Sequence, residues 1–167
     1  MRITDTHIYF WDGIFSNWHP CIIKLPHGNV FNCSEQMFMF AKAKYFGDEK
    51  IAQEILKAKH PKEQKNLGRK IENFDESEWA KVRVGFMHES VIRKFTIPGL
   101  RKQLMDTGDK IIVEASPYDT IWGVGLSEND DKILSEMNWK GQNLLGKVLM
   151  RVRENPDFAD FGRGIED

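Results

Sequence analysis

Apolar residues along this chain fall in short blocks, and the spacing within each block predicts its element. "GQNLLGKVLMRVRE" (141–154) places Leu145, Val148, Leu149 and Val152 on one stripe of a helix. Helices are likewise predicted over about 49–58, over about 61–71 with Pro61 in the first turn, and over 98–108 with Gly108 as terminator. A longer helix, reaching about residue 95, begins at Asp75, where "DESE" fits a capping box with Glu78 reaching back. "HIYFW" (7–11), "CIIKL" (21–25) and "KIIVEA" (110–115) read as strands, and "PHGN" (26–29) as a turn leading into "VFN". No repeat or low-complexity linker divides the chain. The expected fold is α+β: a single compact domain over residues 1–154, mostly helical with a small antiparallel sheet, then a loosely held tail over 155–167.

One helix breaks its own pattern. In "SEQMFMFAKAKYF" (34–46), Ser34 is a good N-cap and Gly47 a good terminator. Phe38, Met39, Ala41, Tyr45 and Phe46 form a broad apolar arc, yet Glu35 and Lys42 fall near the middle of it. Burying two unlike charges costs several kcal/mol of desolvation per ion, so such a pair is a poor source of stability. Seven residues span about 10.5 Å of helix axis, and both side chains lean towards the N-terminus. A ligand or a third group is needed between them. A capping glutamate and a snorkelling lysine are the plain alternatives.

Composition narrows the classes. The 167 residues, 41% hydrophobic and 29% charged, describe a globular protein with a real core. No apolar run approaches the roughly 18 residues of a membrane span, and "MRITDTHIYFWD" lacks a signal-peptide pattern, so a cytoplasmic location is expected. A formal charge of −1 gives no electrostatic case for tight nucleic-acid binding by the whole protein. Cys21 and Cys33 flank the hairpin and are expected to be free thiols. The histidines lack HxxxH and HxE spacing and no CxxC occurs, so neither a metal site nor a cofactor is expected.

Four further features carry candidate chemistry. "SPYDTIWGVGL" (116–126) follows a strand, with Asp119 and Trp122 in the loop and Gly123 and Gly125 permitting close backbone approach; an ordinary turn plugged by Trp122 fits equally well. Trp11, Trp18, Trp122 and Trp139 lie in or beside loops, and Trp79 opens the capped helix; indoles so placed stack on flat heterocycles or simply pack. "KAKHPKEQKNLGRK" (57–70) is either a solvated basic face or a phosphate-facing patch led by Arg69. "WKGQNLLG" sets Gly141 and Asn143 at a helix start, as an anion receptor or as a plain N-terminal cap.

In order, "FSNWHP" (15–20), "SEQMFMFAK" (34–42), "GR" (68–69), "EW" (78–79), "KF" (94–95), "TGD" (107–109), "VEASPYDTIWGVGL" (113–126) and "GQNLLGKVLMRVR" (141–153) resemble the NADAR family, the YbiA-like proteins. The resemblance covers roughly residues 8 to 153. One departure stands out: the family's usual helix reads Glu-His-Tyr-Phe-Gln-Ala-x-Lys, and here Gln36, Met37, Met39 and Phe40 replace the histidine, tyrosine, glutamine and alanine. Glu35, Phe38 and Lys42 remain.

The resemblance implies an N-glycosidase that hydrolyses the C–N bond between a ribose and an amino-heterocycle. The implied substrates are a phosphoribosylated aminopyrimidine of riboflavin synthesis or ADP-ribose attached to guanine in nucleic acid. Carried onto this chain, Glu35, Lys42 and Asp119 become the catalytic candidates. Ser16, Asn17, Trp18, Phe38, Arg69, Trp79, Trp122, Gly123 and Asn143 become the substrate-binding candidates, with Trp79 and Trp122 as stackers and Arg69 on phosphate. Two mechanisms suit these residue types. Either Lys42 attacks the ring-opened imine and forms a Schiff base, or a carboxylate drives direct hydrolysis through an oxocarbenium-like state. A nucleotide-binding module without chemistry is the competing function.

Overall fold

The computed structural model describes residues 1–26 and 28–156, so all but the start of the expected 155–167 tail lies outside the described residues. In chain order the elements are β1 (Arg2–Ile3), β2 (His7–Phe10), β3 (Ile23–Lys24), β4 (Val30–Phe31), α1 (Ser34–Tyr45), α2 (Glu49–Lys57), α3 (Pro61–Gly68), α4 (Glu76–Lys94), α5 (Pro98–Met105), β5 (Ile111–Glu114) and α6 (Leu144–Glu154). Two short 3-10 turns, Asp131–Leu134 and Glu136–Asn138, precede α6. Helices outweigh small sheets, in keeping with the α+β reading. The chain forms two compact units: one of Met1–Ser16 with the segment from Phe95 onward, the other of Asn17–Lys94.

The first unit is built on a three-stranded sheet, β1-β2-β5. β1 runs antiparallel to β2, with Arg2 opposite Tyr9, but β2 pairs parallel with β5, from His7 opposite Ile111 to Phe10 opposite Glu114. This corrects the all-antiparallel expectation. Hairpin logic applies only to strands joined by tight turns, whereas the long connection from β2 to β5 permits a parallel return. Tyr9, Val113, Ala115, Val124, Leu126 and Ile133 form the core on this sheet, with Ile111 and Trp139 packed against it. α6 packs on β5 and buries the predicted stripe of Leu145, Val148, Leu149 and Val152. Gly146 makes the approach possible, because a Cβ there would lie 2.1 Å from the Ile112 carbonyl oxygen. Farther along α6, Arg153 donates to Thr107 Oγ1 at 3.0 Å and to the Lys110 carbonyl at 2.7 Å, tying the "TGD" turn to the last helix.

In the second unit α1 packs against α2, α3 and α4. Its first six residues, Ser34 to Met39, are all buried, which explains why the two charges did not sit on a clean amphipathic pattern. Ser34 is not the N-cap. The cap is Cys33, in extended backbone with no capping side-chain bond, because the chain enters the helix straight from the β3–β4 hairpin. The C-terminus follows expectation: Gly47 adopts φ +72° and the Gly47 and Asp48 N–H groups donate to the Lys44 and Ala43 carbonyls. At α4, Asp75 Oδ1 accepts from the Glu78 N–H at 3.0 Å as predicted. The reciprocal half of the box is not made, since the Glu78 carboxylate pairs with Lys81 at 2.7 Å.

The departures from the usual family helix turn inward. Gln36 Nε2 donates to the carbonyls of Ile55, Leu56 and Ala58 at 3.0, 3.3 and 3.1 Å, and its Oε1 accepts from the Asn32 N–H at 2.7 Å. It adds a donor at the C-terminal carbonyls of α2, where the Ala58 N–H also reaches Ile55 and Gln64 Nε2 also reaches Ala58. Met37 joins the core of Ile23 and Phe31, with Phe40 packed at its edge. Met39 lies against Gly68, where a Cβ would come within 2.1 Å of its sulfur.

Candidate active site

The sequence-derived candidates divide between the two units. Asn17, Trp18, Glu35, Phe38, Lys42, Arg69 and Trp79 lie in the second; Ser16, Asp119, Trp122, Gly123 and Asn143 lie in the first.

In the second unit, α1 presents Glu35, Phe38 and Lys42 in succession. The loop containing Asn17 closes on the start of this helix, its carbonyl accepting the Glu35 N–H at 3.0 Å. Asn17 Nδ2 reaches the Met87 sulfur at 3.3 Å, while Asn17 Oδ1 and the Ser34 hydroxyl are buried with no hydrogen-bond partner among the described residues. Buried polar atoms are almost always paired, so these two unpaired ones beside the buried Glu35 are exceptions. Trp18 is exposed on the same loop.

Phe38 meets the Trp79 ring at 5.4 Å between centroids, and Trp79 stacks on Phe86 at 5.7 Å with Tyr45 and Phe46 around it. Trp79 is only 5% exposed, so it is the hub of an aromatic cluster. Lys42 ends the row. Its Nζ donates to the Gly68 carbonyl at 3.1 Å and lies 4.5 Å from the Phe74 ring centroid and 5.8 Å from that of Trp79. Burial lowers the Lys42 pKa from its ordinary value; Glu76 and Glu35 oppose the shift and Arg69 reinforces it. Arg69, at the end of α3, is exposed, with Nη1 at 3.4 Å from Asn66 Oδ1. Lys57, Lys59, Lys62 and Lys70 are likewise exposed.

Sequence reasoning missed three groups here. Phe74 touches Lys42 but carries no pattern signal of its own, and Gly68, quoted above within "GR", touches it through a backbone carbonyl. Lys94, quoted above only within a motif, is 1% exposed, and burial pulls its pKa down to about 8 against the opposing influence of Cys21 and Cys33. Both cysteines are free thiols, and burial pushes the Cys33 thiol up to about 11.

In the first unit, the 116–126 loop is a set of interlocked turns. Ser116 Oγ accepts the Tyr118 and Asp119 N–H groups, and Asp119 Oδ1 accepts those of Ile121 and Trp122, both at 2.8 Å. A Cβ at Gly123 would meet Ser116 at 2.9 Å, and one at Gly141 would meet the Gly123 carbonyl at 2.2 Å. The two glycine-rich motifs therefore pack backbone against backbone. The Ile121, Trp122 and Gly123 carbonyls accept from Leu144, Leu145 and Asn143, so these amides at the start of α6 are not left for an anion. Asn143 instead adopts φ +52°, with Nδ2 donating to the Ile112 carbonyl at 2.9 Å and Oδ1 accepting the Glu114 N–H at 3.0 Å. Asn143 holds the N-cap position of α6 but makes no side-chain cap bond, so the plain-cap reading holds in place only. Its side chain pairs with β5 as a neighbouring strand would.

Known proteins share this arrangement. A NADAR domain matches residues 9–155. N-glycosidase R617 of Acanthamoeba polyphaga mimivirus is 38% identical over 164 residues, covering 90% of this chain and 96% of that protein. The maize chloroplastic riboflavin biosynthesis protein PYRR is 32% identical across 91% of this chain, which spans 26% of that longer protein. The NMR structure of Escherichia coli YbiA superposes with a TM-score of 0.72 at 30% identity, covering 92% of this chain and 86% of YbiA. Fold and relatives together define the class as N-glycosidases, hydrolases acting on N-glycosyl compounds. The chain belongs to the NADAR domain family.

Proposed function

We propose that this chain hydrolyses the C–N bond joining a phosphorylated ribose to the amino group of a heterocycle, with a riboflavin-pathway aminopyrimidine nucleotide as substrate. Relatives named for riboflavin biosynthesis support that substrate class, as does a net charge of −1, which offers little to a long polyanion. The observation that carries the chemistry is Lys42: an amine half withdrawn from water beside an aromatic cluster, two helical turns from the buried Glu35.

Ring opening of the glycoside gives a C1′ imine. The neutral Lys42 amine adds to C1′ as the imine nitrogen takes a proton. The C1′–N bond to the heterocycle then breaks, its nitrogen leaving as the free amine with a proton delivered by Glu35, and Lys42 is left as a Schiff base to the sugar. Water, deprotonated by Glu35, adds to the Schiff base and releases the sugar aldehyde and the lysine. Net, one water is consumed and no electron is transferred. Asn17 and Trp18 receive the substrate beside Glu35, and Arg69 meets its phosphate.

Borohydride added during turnover tests this directly. The expected result is a reduced sugar adduct mapped to Lys42 and absent in Lys42→Met. An adduct on Lys94 instead would move the nucleophile there. Active Lys42→Met enzyme with no adduct anywhere would leave only direct hydrolysis. Running ADP-ribosylated guanine in a parallel arm decides the substrate: base release from it, and none from the aminopyrimidine nucleotide, would reverse the assignment. Binding of either with no base release would reduce the protein to a binding module.

A further inference from the structure

Lys42 is seated by residues from outside its own helix, and the most exposed of them has no place in the mechanism above. Phe74 lies between α3 and α4, 42% exposed, with one ring face 4.5 Å from Lys42 Nζ and an edge-to-face contact with Phe46 at 5.3 Å. Its loop is built to hold that position. Asn73 takes a left-handed φ of +58°, a conformation that non-glycine residues adopt at a cost. Asp48 anchors the segment on one side, its Oδ2 accepting the Glu72 N–H at 2.9 Å while Oδ1 caps α2 at Ile51. Asp75 anchors it on the other by capping α4. A strained residue between two side-chain anchors is an expensive way to display an exposed phenylalanine unless the ring has a task.

We propose that Phe74 is a positioning residue for Lys42: its ring face and the Gly68 carbonyl form a seat that holds the side chain as an ammonium and fixes where the amine stands before attack. An aromatic face attracts a cation more than a neutral amine, and the carbonyl accepts a stronger, charge-assisted hydrogen bond from an ammonium than from an amine, so both parts of the seat favour the charged form. The other charged groups acting on Lys42 are Glu35 on α1, Glu76 at the start of α4 and Arg69 at the end of α3. The first two favour the ammonium and Arg69 opposes it. The inference rests on Lys42 being the reactive amine.

The test reads Lys42 itself, without needing turnover. Reductive methylation by formaldehyde and cyanoborohydride reacts with neutral amines, and mass spectrometry of the Lys42 peptide across pH gives the midpoint of its deprotonation. Phe74→Leu keeps an apolar cover and removes the ring. The midpoint should fall by about 0.5–1 pH unit, the shift corresponding to loss of a partly desolvated cation–π contact. Phe74→Tyr should keep the wild-type midpoint. Pentafluorophenylalanine at position 74, which preserves the shape and reverses the polarity of the ring face, should lower it at least as far as leucine does. In the glycosidase assay the acid limb of kcat/KM should move with the labelling midpoint. A midpoint unmoved by both leucine and the fluorinated ring overturns the proposal. A midpoint that moves in protein releasing no base from any ribosylated substrate supports the seat and overturns the glycosidase reading.

Discussion

Replacing Asn143 with alanine should cost far more stability than losing one polar side chain at a helix start ordinarily does. The substitution removes both hydrogen bonds to β5, orphaning the Ile112 carbonyl and the Glu114 N–H, and puts alanine at φ +52°. Each buried group left without its partner costs about 1–3 kcal/mol, and the left-handed backbone adds about 1 kcal/mol for a residue with a Cβ. A loss of about 4 kcal/mol follows, a large part of the roughly 5–15 kcal/mol that holds a typical domain together. Urea unfolding followed by tryptophan fluorescence measures it. Asn143→Asp keeps the acceptor and loses the donor, and should fall about midway. Below the melting transition the folded fraction of either variant should retain its KM. A loss under about 1 kcal/mol accompanied by a raised KM would refute the reasoning and return Asn143 to the substrate.

Two shorter predictions test other parts of the structure. Gln36→Leu should destabilise by about 2 kcal/mol, because four backbone partners, two of them buried, lose one amide and only the Ile55 and Ala58 carbonyls keep another donor, while specific activity of the folded protein stays within about twofold. Lys94 has a folded pKa of about 8, below its unfolded value, so above pH 8 the unfolded chain binds the extra proton and stability rises with pH. The rise should be about 1 kcal/mol between pH 7.5 and 9 and should disappear in Lys94→Met. Cys33, with its pKa raised to about 11, pulls the other way from about pH 9 upward, so the comparison belongs below that point.

The parts of the fold that were legible in the sequence are those set by local pattern. α6 was readable because one face is buried and one is wet, so Leu145, Val148, Leu149 and Val152 recur at helical spacing. The Asp75 cap and the Gly47 terminator were readable because their chemistry lies within a few residues. α1 was harder: with its first six residues all buried, its polar members have partners from distant segments, and no periodicity announces them. Gln36 illustrates this, standing out in the sequence as a departure from a family pattern while its amide closes the end of α2. The parallel β2–β5 pairing and the strand-like role of Asn143 depend on distant segments meeting in space, His7 opposite Ile111 and Asn143 against Ile112 and Glu114, which local spacing does not encode. At the site, Glu35 and Lys42 were visible as misplaced charges. The contacts of Gly68 and Phe74 with Lys42 were not, since a backbone carbonyl and a ring face act without a charge of their own to stand out.

The central claim is that the Glu35–Lys42 face of α1 belongs to an N-glycosidase. Its most direct test is base release by mass spectrometry from the aminopyrimidine nucleotide, comparing wild type with Glu35→Gln, an isosteric change that removes the carboxyl proton donor. The account predicts release by wild type and a loss of at least about 100-fold in the variant, the scale of a missing general acid. Undiminished release by Glu35→Gln would contradict it.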